Sequence, residues 1–496
     1  MSTAGRKELY DYQQEDLDKI FKKIETSPKN YNLLYQLPTG GGKTVVFSEI
    51  ARRYIEQFKK KVLILTHRIE LSQQTSRMLS EFSVINTVIN AQVKELPVDQ
   101  DYRCYVAMVE TLHNRIRYDE WEMSDIGLVI IDEAHYNSFR KLFKFFEDSL
   151  ILGVTATPLS SNIKMPMKDV YKELIVGSSI SSLIAGGYLS KATIYSFEVS
   201  LGSLTVGING DYTVKSSEEL YSNDKMQSKL IYAYEEVGKG KKTLIFNNGI
   251  STSRAVYHNF KEKGYDIRHL DSTLKKQERK EILEWFKKKP DAILTSVGIL
   301  TTGFDEPTIQ TIIMNRATRS LTLYFQMIGR GSRVLPNKST FDVIDMGNNA
   351  ARFGQWSADI DWYKIFRSPQ YFLENLITDE EIEKRFVYRM PKEFMERFKN
   401  SESLEFDIKA AYKEIVASKK KTSIILEQSL ENHMEIISAN AEDFPEALEL
   451  LKILDDEIAD RIRRYCYCLV NTTRNYRDWV ELEYKKKLKS RLMREM

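Results

Sequence analysis

Short apolar runs alternate with amphipathic helical stretches over the first two thirds of the chain, the pattern of parallel sheets covered by helices on both faces. Five such runs, 32–36, 61–66, 104–109, 128–132 and 151–156, read as the strands of a first domain, with a last helix and turn over 183–189. From about 191 to 225 the pattern weakens into Ser, Gly and Thr, which reads as an inter-domain linker with a small insertion. A second set follows, with strands expected at 243–247, 267–270, 292–296, 311–315 and 341–345. Beyond Trp362 long charged helical periodicity takes over, and Pro391 and Pro445 mark breaks in it. The expected organisation is therefore α/β: domains at 1–190 and 226–364, a linker at 191–225, and a helical appendage at 365–496.

Composition narrows this picture only a little. A length of 496 residues suits about three domains. No stretch approaches the ~20 apolar residues that cross a bilayer, and Met1–Lys7 leads into no apolar signal core, so a cytoplasmic location is the expectation. Cys104 reads as a core thiol, while Cys466 and Cys468, with His433 as the nearest histidine, fall short of a tetrahedral zinc site. A net charge of +3 gives no global sign of a nucleic-acid partner, although a motor needs only a local groove and can use backbone N–H and hydroxyl groups.

The candidate chemistry begins at Leu37-Pro38-Thr39-Gly40-Gly41-Gly42-Lys43-Thr44, between an apolar run and a helix. Glycines let successive N–H groups close around phosphate, and the helix start adds its positive dipole end. In this reading Lys43 reaches the β- and γ-phosphates of ATP and Thr44 holds Mg²⁺; Leu37 stands where the usual pattern has its first glycine. The run Leu128-Val129-Ile130-Ile131 ends in Asp132-Glu133-Ala134-His135. Acidic residues at the carboxyl end of a buried strand lie where open α/β sheets bind ligands. There Asp132 would take Mg²⁺ and Glu133 would orient and deprotonate water. In the second set, Gln326-Met327-Ile328-Gly329-Arg330-Gly331-Ser332-Arg333 offers two arginines whose planar forks suit γ-phosphate oxygens. Two stacked domains would bring them to the loop upon closure.

This ordered set resembles the superfamily 2 helicases, in particular their DEAH-bearing branch, over roughly Leu9 to Met346. The resemblance implies two tandem RecA-like domains and further roles. Leu9-Tyr10-Asp11-Tyr12-Gln13 resembles the adenine-reading element, with Gln13 on the base edge and Tyr10 in place of the usual arginine. Thr66-His67-Arg68, Val106–Leu112 and Leu294–Pro307 resemble the nucleic-acid and domain-interface elements. They imply strand contacts for His67, Arg68, Thr111 and Thr295, and ribose or interface positions for Gly303 and Asp305. Gly153-Val154-Thr155-Ala156-Thr157-Pro158 resembles the segment that couples hydrolysis to movement, through Thr155, Thr157 and His135. Leu244–Asn248 resembles the fourth motif, and Gln326 is implied at the water or γ-phosphate.

Within the family, Thr66–Leu71, Leu183–Ser190 and Gly210-Asp211-Tyr212 resemble the RadD-like bacterial DNA-repair helicases, with related phage replication helicases as the alternative; the cysteine cluster of the RadD-like group has no counterpart here. The implied activity is ATP-dependent unwinding or translocation on DNA, single-stranded or forked, with single-strand-binding or replication and repair proteins as partners. Two other functions remain: an ATP-switched DNA-binding or remodelling component, and the motor subunit of a restriction or defence complex. RNA is the less favoured track. In the helical region Arg463-Arg464-Tyr465, Arg474–Arg477 and Trp479 read either as stacking platforms for single strands or as packing faces, and the lysine runs 419–421 and 485–489 as solvated helix surface.

Overall fold

The computed structural model describes residues 8–28, 30–95, 102–118, 121–301, 303–386, 390–401, 406–418, 420–469 and 474–495. Met1–Lys7, Thr302 and Lys419 lie outside the described residues. Contacts divide the chain into two units, 1–377 and 378–496; helices 362–367 and 369–374, at the start of the expected helical region, belong to the first.

The first unit holds two wholly parallel sheets. One contains β1 (Leu33–Gln36), β2 (Lys61–Thr66), β3 (Asn86–Ile89), β4 (Cys104–Met108), β5 (Ile126–Asp132), β6 (Leu150–Thr155) and β7 (Glu173–Val176), in the order β3-β4-β2-β5-β6-β1-β7. The other contains β8 (Lys191–Ser196), β9 (Thr243–Asn247), β10 (Ile267–Leu270), β11 (Ile293–Val297), β12 (Thr311–Asn315) and β13 (Thr340–Asp345), in the order β10-β11-β9-β12-β13-β8. The central strands are covered on both faces, which is why they read as unbroken apolar runs: Leu128, Ile130, Ile131, Ile312, Ile313 and Met314 are wholly buried.

Parallel pairing puts every strand's carboxyl end on one edge of its sheet. Asp132 pairs with Val154, and Gln36 with Thr155. Strand β6 thus lies between β5 and β1, and the acidic strand end, Thr155 and the start of the glycine loop emerge side by side.

The first six residues of the expected linker are not linker. They form β8, an edge strand paired with β13 in register from Lys191 on Thr340 to Ser196 on Asp345. The rest of the segment docks on the second sheet: Asp211 accepts from the Thr318 hydroxyl at 2.7 Å and the Arg319 amide at 2.7 Å. Helix 214–221 and helix 224–237 then lead into β9.

The second unit is helical throughout its described residues, from Asp379–Glu383 to Arg474–Glu495. Pro445 sits in the first turn of helix 444–453, where its missing N–H costs nothing. Its core includes Ile425, Leu450, Ile458, Leu488 and Leu492. Within it a polar chain is fully enclosed: the Glu457 carboxylate bonds both His433 Nε2 and Arg461, and His433 Nδ1 bonds the Tyr484 hydroxyl at 2.7 Å. Arg463 and Arg464 pair with Asp460, and Tyr465 is buried, so that cluster is a packing face. Tyr476 and Trp479 are partly open to solvent, with ring centroids 5.9 Å apart. Among the described residues no helix is long and apolar enough to cross a membrane.

Candidate nucleotide site between the two sheets

The glycine loop leaves β1 with Leu37 N–H bonded to the Thr155 carbonyl at 3.0 Å, and its helix starts at Lys43. Gly40 and Gly42 lie in the left-handed region, at φ of +96° and +83°. A Cβ on Gly42 would stand 2.5 Å from Gln13 Nε2, so both the backbone angle and the space require glycine there. The Tyr12 hydroxyl and Gln13 Nε2 both donate to the Gly41 carbonyl, at 2.8 and 3.2 Å, while Gln13 Oε1 accepts from the Tyr10 amide at 3.1 Å. Gln13, expected at a base edge, thus braces the loop, and Tyr10 and Tyr12 gather with Tyr188 in an aromatic cluster at the same end.

Asp132 ends β5, Glu133 and His135 follow it, and all three are buried. Glu133 is held at a φ of +53°, a backbone state that a glutamate adopts only where its surroundings impose it. Burial and the neighbouring Glu133 carboxylate push Asp132 up to about 7, with Lys43 opposing. Burial also acts on Glu133, but Lys43, His135 and Arg330 outweigh it and hold that carboxyl below its ordinary range. Lys43 in turn is lowered by burial despite the two acids. Burial lowers the His135 imidazole, with Glu133 opposing; its Nδ1 lies 3.1 Å from Thr155 Oγ1 and 3.4 Å from Glu133 Oε2.

From His135 a hydroxyl chain crosses to the second sheet. Thr155 Oγ1 donates to the Thr157 carbonyl at 3.0 Å, and Thr157 Oγ1 shares a 2.7 Å bond with Thr322 Oγ1. Thr322 stands in helix 321–328, which also carries Gln326. The loop after that helix packs directly on the glycine loop: a Cβ on Gly329 would meet Thr39 Cγ2 at 2.6 Å, and one on Gly40 would meet Ser332 Oγ at 2.7 Å.

Arg333 reaches across, with Nη1 donating to the Gly40 carbonyl at 2.7 Å and Nε to Asp305 Oδ1 at 2.7 Å. Arg330 donates to the Phe304 and Thr301 carbonyls at 2.6 and 2.8 Å, and burial together with Arg333 lowers its guanidinium to about 10. Gly303, at a φ of +74°, approaches Leu71 of the first sheet's domain.

Among the described residues, four buried polar atoms on these segments have no hydrogen-bond partner: Thr39 Oγ1, Glu133 Oε2, Gln326 Nε2 and Arg330 Nε. Such atoms are costly unless a ligand or water satisfies them. Together with Lys43 and the Asp132 and Glu133 acids, they suit a polyanionic nucleotide and its metal ion.

The expected strand contacts divide. Arg68 bridges the sheets, donating to the Ile299 carbonyl at 3.0 Å. His67 stacks on Tyr136, which stacks on His135, at centroid distances of 4.4 and 4.3 Å; burial lowers its imidazole to about 4. Thr111 is half-buried on helix 109–118. Thr295, expected at the strand, is wholly buried, its hydroxyl taking the Asn247 amide at 2.8 Å and sharing 2.9 Å with Ser253 Oγ. It lies inside β11, two residues short of the strand end. Tyr136 and Thr322 had no motif to flag them, and Tyr12 lay in the adenine-reading element with no role of its own; their contacts reveal all three.

Residues 6–160 match the family described as "Type III restriction enzyme, res subunit", and residues 225–334 match "Helicase conserved C-terminal domain". A Saccharomyces cerevisiae protein named as an ATP-dependent helicase, IRC3, is 29% identical over 357 residues, 68% of this chain and 51% of that protein. A "51.5 kDa protein" of a Lactococcus phage is 28% identical over 337 residues, 67% of this chain and 69% of its own length. Among solved structures, a fragment described as the HsdR subunit of a type I restriction enzyme from Vibrio vulnificus YJ016 has a TM-score of 0.55 at 22% identity, covering 71% of this chain and 66% of that one. The Type ISP restriction-modification enzyme LlaBIII bound to DNA has a TM-score of 0.52 at 16% identity, covering 97% of this chain and 40% of that one. The chain therefore spans about half the length of IRC3, and the structural likenesses at these identities concern the fold.

Proposed function

We propose that this chain, a superfamily 2 helicase by its two matched core domains, is an ATP-hydrolysing motor that travels along or separates nucleic acid, with DNA as its track. The observation that carries this reading is Arg333, rooted in the second sheet's domain and bonded at 2.7 Å to the Gly40 carbonyl of the first domain's glycine loop. A site assembled from two domains couples the state of the nucleotide to the distance between them.

ATP would lie with its phosphates on the backbone of Pro38 to Thr44 and on Lys43. Thr44 and Asp132 would hold Mg²⁺, which when bound screens the phosphate oxygens. Glu133 would orient the attacking water and accept its proton, and Gln326, with its free amide nitrogen, would hold the water or the γ-phosphate. Arg330 and Arg333 would neutralise charge on the transferring phosphoryl group. The His135–Thr155–Thr157–Thr322 chain would report the nucleotide's state to helix 321–328. Gly303 and Asp305 would set the domain interface, with Asp305 aiming Arg333. His67, Arg68 and Thr111 would border the track.

Within the superfamily we favour the RadD-like DNA-repair or phage replication groups; the similarity to the Lactococcus phage protein supports a phage affinity. A second reading, the motor of a restriction or defence complex, is supported by the fold likeness to LlaBIII, which runs over 97% of this chain and so into its helical unit.

Strand displacement separates these. With ATP, wild type should release the labelled strand of a forked DNA while Glu133→Gln binds it without release. A wild type that displaces a triplex strand but leaves every fork intact would favour the translocating motor of a larger complex, and failure in both assays would refute the motor.

A further inference from the structure

Lys338 is 7% exposed, yet among the described residues no carboxylate bonds its ammonium. Its three N–H groups go to carbonyl oxygens: Pro307 at 2.9 Å, Gly331 at 2.6 Å and Arg333 at 2.9 Å. Burying an ammonium is unfavourable unless its donors are all satisfied, and an apolar side chain of similar length would fill the space at lower cost. The carbonyls it gathers explain its presence. Gly331 and Arg333 belong to the loop that meets the glycine loop, and Pro307 ends the segment whose Asp305 grips Arg333 Nε. Ser190, where the chain enters the second sheet, adds to the clamp: its amide donates to the Ser332 carbonyl at 2.8 Å, and its hydroxyl contacts the Arg333 and Lys338 carbonyls at 2.9 and 3.1 Å. The Arg333 carbonyl is thus held from two sides while the side chain of the same residue extends to Gly40.

We propose that Lys338, assisted by Ser190, is a positioning residue that keeps the Arg333 loop in register against the phosphate loop, so that the rate of ATP hydrolysis depends on a side chain that touches neither nucleotide nor metal. This rests on Arg333 acting as the finger of the proposed motor. Burial and the Arg333 charge lower the Lys338 ammonium to about 8, with Glu306 opposing. Glu306 itself lies 3.8 Å from Lys242, and the Phe341 ring is 5.7 Å from the ammonium. A neutral amine has two N–H groups for three carbonyls, so the clamp loosens as pH rises through that value.

The test is steady-state ATP hydrolysis with saturating single-stranded DNA by Lys338→Met, Arg333→Ala and the double variant. Lys338→Met should lower kcat about tenfold or more and leave KM for ATP within about twofold, and the double variant should match Arg333→Ala alone, the non-additivity of residues acting as a unit. The wild type should lose kcat above about pH 8, and Lys338→Met should lack that limb. A Lys338→Met enzyme with wild-type kcat, or a double variant showing the product of both losses, overturns the proposal. Should Lys338→Met fail to fold in a melting experiment, Ser190→Ala takes its place with an expected drop of about threefold, and wild-type kcat there overturns it equally. An Arg333→Ala enzyme of full activity removes the finger itself, and the proposal with it; a crippled Arg333→Ala beside a normal Lys338→Met removes the proposal alone.

Discussion

Replacing Thr157 with Val isolates one bond. Thr157 is wholly buried, and among the described residues its only side-chain hydrogen bond is the 2.7 Å contact with Thr322 Oγ1 on the other domain. Valine keeps the shape, and the backbone bonds of Thr157 with Thr155 Oγ1 are untouched. Thr322 is half-buried, so its hydroxyl can regain water once the partner is gone. The loss should therefore be that of an ordinary neutral hydrogen bond, about 1 kcal/mol, rather than that of a stranded polar group. On a closed-to-open equilibrium of the two domains this is about fivefold. The assay is the number of ATP molecules hydrolysed per strand released from a forked DNA, measured for Thr157→Val, Thr322→Val and the double variant. Each single change should worsen the ratio about fivefold, and the double change should do no more. Unaltered coupling, or losses that multiply in the double variant, would refute the hydroxyl chain as the route between hydrolysis and movement.

Other consequences can be measured directly. Gly42→Ala forces a Cβ into the left-handed region and to within 2.5 Å of Gln13 Nε2; the strain of about 1–2 kcal/mol before any clash should weaken binding of a fluorescent ATP analogue about tenfold or more, and wild-type affinity would exclude this loop as the cradle. Burial holds His67 at about 4 and lowers His433 as well. Both are neutral in the folded protein and free to charge when unfolded, so their contribution is complete above about pH 6.5 and is lost as pH falls toward the folded values. The melting temperature should drop between pH 7 and pH 5, and a flat profile would contradict the neutral imidazoles.

The sequence was informative where one local interaction dominates. Runs 61–66, 243–247 and 311–315 match their strands because burial on both faces favours apolar residues inside, and 267–270 matches although β10 is an edge strand carrying Arg268 and His269. Strands β3, β7 and β8 escaped notice: all three are edge strands, and β8 is mostly exposed, alternating polar and apolar residues beside a Ser- and Gly-rich stretch. The glycine loop was legible because φ of +96° and +83° admits few other residues. Roles that depend on distant contacts were not. Nothing local distinguishes a threonine buried inside β11, as Thr295 is, from one beyond its end. Gln13 meets Gly41 and Lys338 meets Arg333 only through the fold. Arg68 was expected at the nucleic-acid strand, and its bond to Ile299 likewise depends on the fold alone.

The central claim is that polymer binding drives ATP hydrolysis at a site built on Lys43. Steady-state hydrolysis by wild type and Lys43→Ala, without polymer and with single-stranded, duplex or forked DNA or with RNA, tests it most directly. The account predicts strong stimulation by DNA, little by RNA, and none in the variant; hydrolysis indifferent to every polymer, or undiminished in Lys43→Ala, would contradict it.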